Sequence, residues 1–259
     1  MAQISMAELI QHVSACGDFA RTERAQLQLL RKSDGSLVTH VDEAIEQRLV
    51  AYLQSAYPDH AIVGEEGTAH NLSNGSPYTW VIDPIDGTSA FAGQLPGWCI
   101  GIGLLKDGLP LAGVVYAPMN DELFVATPDG QTLRNNQPIH STAMQSDLLD
   151  DWVAMPSDVH RKYHIAYPGR IRTTGATIMS LCYVAAGMAK GALIGSCKVW
   201  DLAPAMALLY NAGADLWDMK GTRIDIATYL NPPIKTPTMI AAPANQADFM
   251  LGMIRSIVK

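Results

Sequence analysis

Residues 80–91 read Trp80-Val81-Ile82-Asp83-Pro84-Ile85-Asp86-Gly87-Thr88-Ser89-Ala90-Phe91. An apolar run stops at an acid, a proline follows, and a second acid stands three positions on. A Gly-Thr-Ser turn comes at once. A strand end is a rigid mount for side chains, and loops at strand ends commonly carry function. Pro84 fixes φ and removes a backbone donor between the two acids. Carboxylates held this close repel each other unless a cation lies between them. Oxygen-only ligands favour a hard ion such as Mg²⁺, which keeps waters and bridges to phosphate. No Cys or His accompanies the acids, which argues against zinc. A helix beginning at Gly87-Thr88-Ser89 would place its free N–H groups beside that ion as an anion site.

The same ending recurs twice. Ala61-Ile62-Val63-Gly64 runs into Glu65-Glu66, and Val199-Trp200 runs into Asp201. A single such acid often does no more than mark where a strand leaves the core. Three stand here in a chain of 259 residues with only 17% charged side chains, against about 25% in an average domain. The composition, 48% hydrophobic, excludes a disordered chain. The net charge of −7 and the absence of a dense basic cluster argue against a nucleic-acid partner. Cys16, Cys99, Cys182 and Cys197 form no CxxC pair and are read as buried free thiols of a reducing compartment. No leader pattern is visible at the N-terminus. The longest apolar stretch, Trp98–Leu105, falls short of the roughly 20 residues of a membrane span. These features predict a soluble, cytoplasmic protein.

Ser5 and Glu8 have capping-box spacing ahead of the stripe Met6, Leu9, Ile10, Val13 and Cys16, which predicts a long first helix. A second helix starts near Val41, with Ala44, Ile45, Leu49, Tyr52 and Leu53 on one face. Strand-like runs follow at Ala61–Gly64, Thr79–Asp83, Trp98–Leu105, Leu111–Ala117 and Glu122–Ala126, with Asp107-Gly108 as a hairpin turn. Trp152–Met155, Arg170–Thr174 and Ala192–Gly195 read as further strands. Ala176–Lys190, Asp201–Ala212 and Ala244–Val258 read as helices, the last with Phe249, Met253, Ile254 and Ile257 on its apolar side. Helices, then strands, then mixed elements predict an α+β protein of two halves, 1–145 and 146–259. The boundary falls in the polar stretch Ser141–Asp151.

These motifs resemble the inositol monophosphatase family of Mg²⁺-dependent phosphatases. Trp80–Phe91 is close to its W-x-x-D-P-[IL]-D-G-T-x-x-F signature. Lys32 with the segment Asp34 to Asp42 resembles its Lys and V-T-x-x-D box, Gly64-Glu65-Glu66 its G-E-E element, Gly175-Ala176-Thr177 its substrate loop, and Trp200-Asp201 its W-D motif. The matches run in consistent order from about Ala7 to Gly213. The resemblance implies a layered α/β/α/β/α sandwich, of the inositol monophosphatase and fructose-1,6-bisphosphatase type. It implies Glu65, Asp83 and the Ile85 carbonyl at a first metal, and Asp83, Asp86 and Asp201 at a second, with Glu65 sharing a weaker third. Thr88, paired with Asp42, would help Glu65 orient and deprotonate a metal-activated water for in-line attack. Asp86, Gly87, Thr88, Ser89, Gly175, Ala176, Thr177 and Ile194 would face the substrate, and Lys32 would sit on a loop over the site. A homodimer and lithium sensitivity are further family expectations. The chemistry suits the demand, because phosphate monoesters hydrolyse very slowly without charge stabilisation.

Several positions depart from the family. Ile194 stands seven residues before Asp201, where inositol-specific members carry a Glu that binds substrate hydroxyls. An apolar side chain cannot accept those hydrogen bonds. Lys190 replaces an Asp, Ala90 an Asn, and Tyr210-Asn211-Ala212-Gly213 the usual E-A-G-G. The metal-binding residues are intact. The substrate is left open among inositol monophosphate-like polyols, sugar phosphates, histidinol phosphate, fructose 1,6-bisphosphate and 3′-phosphorylated nucleotides. A different class of reading is a metal-binding regulatory protein without turnover. The joint presence of Asp42, Glu65, Asp83, Asp86, Thr88 and Asp201 argues against it. Lys190 is read as a solvated helix end, Arg170 and Arg172 as solvated strand-edge residues, His40 as a surface residue, and Trp200 as packing that orients Asp201.

Overall fold

The computed structural model describes residues 4–33, 35–141, 150–230 and 232–257. Asp34 and the expected boundary at residues 145/146 lie outside them. Helix α1 (Met6–Glu23) starts where expected, its Glu8 N–H donating to the Ser5 hydroxyl, and buries Leu9, Val13, Cys16 and Ala20. Helix α2 (His40–Ala56) is capped by Thr39, whose hydroxyl accepts from the Val41 and Asp42 amides. Asp42 returns the bond to the Thr39 backbone, completing a capping box. Val41, Ile45, Leu49 and Leu53, four apart, form its fully buried stripe.

Eight strands make the first sheet, in the spatial order Gln137–Pro138, Thr132–Arg134, Glu122–Ala126, Leu109–Ala117, Cys99–Lys106, Tyr78–Asp86, Ala61–Gly64, Ala69–His70. Five make the second, in the order Arg170–Arg172, Trp152–Ala154, Ala192–Ile194, Met239–Pro243, Ala214–Asp218. Period-two alternation sorts their side chains into layers. Trp80 and Ile82 join the core under α1 and α2, whereas Val81 joins the core beneath α4 (Thr177–Ala185) and α5 (Ala203–Asn211). Ala192 and Ile194 face that same middle layer, while Leu193 packs with Ile240 and Met250 of α6 (Ala247–Gly252). The order is helices, sheet, helices, sheet, helix, as the α+β sandwich requires. A five-residue helix, α3 (Thr88–Ala92), follows the strand Tyr78–Asp86.

Two local features place the site. Asp83 and Asp86 are an odd number of residues apart, so in a regular strand they would face opposite sides. The register slips between them: Asp83 pairs with Gly101 and Asp86 with Cys99, three steps against two. The extra residue is a β-bulge next to Pro84, which has no N–H to lose there. It returns both acids to the α4/α5 face and sends Ile82 and Ile85 to the other. The second feature is a glycine patch. A Cβ on Gly101 would fall 2.7 Å from Pro204, and one on Gly103 would fall 2.5 Å from the Ala203 carbonyl oxygen. The start of α5, directly after Asp201, therefore rests on bare strand backbone. Gly103→Ala is expected to cost about 1–3 kcal/mol by overpacking, read as a lower urea midpoint at unchanged m-value.

The hairpin at Asp107-Gly108 forms with positive φ at both residues, joining Lys106 to Leu109. One expectation fails. Ala244–Val258 is not a single helix: α6 ends at Gly252, and Ile254–Ser256 is a strand paired antiparallel with Tyr163–Ile165. The Phe249 and Ile257 side chains, expected on an apolar side, are 42% and 56% exposed. The β-branched Ile254 finds a partner strand about ninety residues upstream, which local periodicity does not report. No helix of the described residues is long and apolar enough to cross a membrane.

Candidate active site

The bulged strand end, the turn after Ala61–Gly64 and the 3₁₀ turn Val199–Asp201 bring acids together. Ligand oxygens of Asp83, Asp86 and Asp201 all lie within 4.8 Å of one another. Asp83 is 1% exposed, and neither of its carboxylate oxygens has a hydrogen-bond partner. Burial, reinforced by the charges of Glu65, Asp86, Asp201 and Asp42, pushes its carboxyl well above the usual range. Asp86 is raised by burial and by Asp201, against the opposing pull of the Ile178 and Thr177 amides. Those amides open α4, so Asp86 caps a helix whose own N-cap, Ala176, has no side chain to do it. Asp201 accepts from the Lys198 amide at 2.7 Å, and burial raises its carboxyl to about 6.

A buried carboxylate with both oxygens unpaired, facing two others, is an unfavourable arrangement for the bare chain. A dication with oxygen ligands is the group that relieves it, so the donor set fits Mg²⁺.

Glu65 stands beside this trio rather than inside it. Its Oε1 is 2.8 Å from the Lys32 ammonium, which also reaches Glu66 at 2.8 Å. Burial works against the Lys32 charge, yet the bonds to Glu65 and Glu66 outweigh it and hold the pKa above its usual value. Glu66 is raised to about 7, first by burial. The Thr88 hydroxyl lies 3.1 Å from the Ile85 carbonyl and 3.4 Å from Asp42 Oδ1. Asp42 is fully buried and raised to about 6 by that burial. Thr88 opens α3, and Ser89 beside it is exposed.

Gly175, Ala176, Thr177 and Ile194 line one cavity of about 180 Å³, together with Thr173, Thr174 and Ser180. It adjoins a cleft of about 520 Å³ holding Lys32, Glu65 and Asp201, the two sharing Pro156, Thr177 and Gly195. Lys198, Lys235 and Ser196 also line the cleft without a sequence signal, as does Cys197, which was expected to be buried and is only half-buried. Trp200 both packs on the core and lines the cleft. Lys190 departs from expectation. It is no solvated helix end, being 14% exposed and 3.1 Å from the buried Asp151. Arg170 and Arg172 are exposed as expected.

Backbone contacts lock the two loops of the site. Gly87 and Gly175 have φ of 91° and 93°, a conformation that favours glycine. A Cβ on Gly87 would fall 2.7 Å from the Gly97 carbonyl oxygen, and one on Gly175 2.5 Å from the same atom. The turn before α3 and the loop before α4 therefore meet through Gly97, which the sequence reading did not single out.

Arg24 was also missed. It is 6% exposed, and its guanidinium donates to the carbonyls of Phe91, Ala90 and Leu95 at the far end of α3. Arg24→Met would strip the side-chain donor from all three, but the Ala90 and Phe91 carbonyls still accept from the Leu95 and Gln94 amides, so the unpaired group is the Leu95 carbonyl, at about 1–3 kcal/mol. We expect a loss of about 1–3 kcal/mol in urea unfolding and a lower kcat.

A layered α+β sandwich with clustered carboxylates at its strand ends is the framework of a phosphomonoesterase. The family model described as Inositol monophosphatase family matches residues 2–251, and the chain belongs to that family. Inositol monophosphatase 1 of Solanum lycopersicum is 30% identical over 226 residues, covering 80% of this chain and 82% of that one. Nus factor SuhB of Xylella fastidiosa is 33% identical over 206 residues, covering 75% and 74%. The crystal structure of extragenic suppressor protein suhB from Bartonella henselae superposes with a TM-score of 0.82 over 96% of this chain and 97% of that chain. At 24% identity the last comparison speaks for the fold.

Proposed function

We propose that the protein hydrolyses a small phosphorylated metabolite with the help of Mg²⁺ held by its strand-end acids. The observation that carries this reading is the Asp83 carboxylate, buried, unpaired and set against Asp86 and Asp201. Asp83, Asp86 and Asp201 would hold one ion, and Glu65, Asp83 and the Ile85 carbonyl another. Bound there, Mg²⁺ would supply a Lewis acid that draws charge from the phosphoryl oxygens and acidifies a water.

The chain's own groups do the rest. Asp42 orients the Thr88 hydroxyl, which is within 3.4 Å of it. Thr88 and Glu65 position the attacking water in line with the ester bond, and Glu65 takes its proton. The amides that open α3, at Gly87 and Thr88, hold the phosphoryl oxygens. Asp86, fixed on the α4 amides, keeps the Gly175–Thr177 loop against the substrate.

The leaving group sits in the cavity floored by Ile194. Its lining of Thr173, Thr174, Ser157 and an apolar base lacks the carboxylate that inositol-specific members direct at ring hydroxyls. A polyol or sugar phosphate outside the inositol series suits it better. The test is phosphate release from a panel of inositol monophosphate, fructose 1,6-bisphosphate, histidinol phosphate and adenosine 3′,5′-bisphosphate. Release that needs Mg²⁺ and stops with EDTA is expected, with inositol monophosphate not the best substrate. No Mg²⁺-dependent release from any ester would contradict the proposal and favour a regulatory metal-binding role.

A further inference from the structure

The acid at position 46 was not among the residues read from the sequence, and no step above uses it. Glu46 lies on α2, one turn after Asp42, and is 3% exposed. Its side chain reaches into the turn that carries Glu65. Glu46 Oε2 accepts from the Glu66 amide at 2.8 Å. Glu46 Oε1 accepts from the Thr68 amide at 3.1 Å and the Thr68 hydroxyl at 2.7 Å. The turn is otherwise closed by the Gly64 amide donating to the Thr68 carbonyl at 2.9 Å. The carboxylate thus fills the concave side of the 65–67 turn as a backbone turn's own acceptors would.

Gly64 makes this possible. A Cβ on Gly64 would fall within 2.5 Å of the Glu46 carboxyl carbon and both its oxygens, a distance Cβ atoms do not adopt. The strand Ala61–Gly64 must end in glycine for the carboxylate to reach the turn. Residues four apart on a helix share one face and are about 6 Å apart along the axis. That face of α2 therefore holds Thr88 through Asp42 and the Glu65 turn through Glu46, so one rigid element sets the spacing between them.

We propose that Glu46 is a positioning residue for Glu65: it fixes the turn from which Glu65 reaches the ion and the water, and Gly64 is its required companion. This rests on the reading of Glu65 given under Proposed function. Precise ligand placement needs such outer support.

The test compares the parent with Glu46→Gln, Gly64→Ala and the milder Thr68→Val, which loses one hydroxyl donor. Each is checked for folding by circular dichroism, and Mg²⁺ binding is measured by titration calorimetry alongside kcat and KM. Glu46→Gln and Gly64→Ala are expected to weaken Mg²⁺ binding and lower kcat by about tenfold or more, with KM within about twofold. Thr68→Val should show the same pattern at about threefold. Folded variants that bind Mg²⁺ and turn over as the parent does, or that lose only thermal stability, would overturn the role of Glu46. A parent that neither takes up Mg²⁺ nor releases phosphate would instead overturn the catalytic reading itself.

Discussion

Asp83→Asn is expected to abolish phosphate release, by at least about a thousandfold, and to raise the melting temperature of the metal-free protein. Both effects come from one observation. The Asp83 carboxylate is buried with no hydrogen-bond partner, among Glu65, Asp86, Asp201 and Asp42. In the absence of a cation this arrangement opposes folding, and the amide removes the charge while keeping the shape. In the presence of Mg²⁺ the same charge is shared between both proposed ions, so its loss weakens two sites together. Thermal unfolding with EDTA and with Mg²⁺ separates the effects. The variant should melt higher than the parent in EDTA and should lose the parent's stabilisation by Mg²⁺. A residue kept for packing would move the first quantity down and leave activity. Function held at the expense of stability is the expected signature of such a site.

The second large effect is on pH. Burial raises Asp42 and Asp201 to about 6 from the usual 3.8. Between those values the folded chain binds more protons than the unfolded chain. Their contribution to stability is therefore full below about pH 4 and is lost as pH rises through about 6. The shift at Asp42 alone corresponds to roughly 3 kcal/mol, or about 5–10 °C in melting temperature for a chain of this size. Mg²⁺ acts in the opposite direction, because it binds the ionised carboxylates. Stabilisation by Mg²⁺ should be small near pH 5 and grow through pH 6 to 8. Activity should rise over the same interval, since Asp42 must be ionised to orient Thr88. Melting curves at fixed ionic strength, with EDTA or Mg²⁺, read both slopes. A Mg²⁺ effect independent of pH between 5 and 8 would contradict the assignment.

What could be read from the chain without its structure was local in kind. Short apolar runs marked the strands that lead into Glu65 and Asp83, and the pair Asp107-Gly108 marked a turn with positive φ at both residues. The three acid endings named Glu65 and Glu66, Asp83 and Asp86, and Asp201; the fold gathers Asp83, Asp86 and Asp201 and sets Glu65 beside them, paired with Lys32. Contacts across long separations were not legible. Arg24 bonds carbonyls 66 to 71 residues away. Glu46 meets a turn 20 and 22 residues on, and looked like any acid on a helix. Lys190 was misread for the same reason, since its partner Asp151 precedes it by thirty-nine residues. Gly97 carried no signal because its importance lies in the close approach of distant backbone, which leaves no room for a Cβ on Gly97, Gly87 or Gly175. The C-terminal segment failed because its apolar residues fit a helical spacing while the strand Tyr163–Ile165 offers the better pairing.

The bulge shows how a short motif becomes a site. Two acids three apart gave no hint of which side each would face. One slipped residue next to Pro84 puts both on the side where α5 and Asp201 approach. The glycines at 101 and 103 let that approach come close enough to gather the three carboxylates.

The most direct test of this account is crystallographic. Crystals grown or soaked with Mn²⁺, a stand-in for Mg²⁺, would be measured for anomalous scattering. The account predicts a peak in contact with the carboxylates of Asp83, Asp86 and Asp201, absent from Asp83→Asn crystals treated in the same way. An enzyme active with Mn²⁺ whose anomalous peaks all lie away from Asp83 would contradict it.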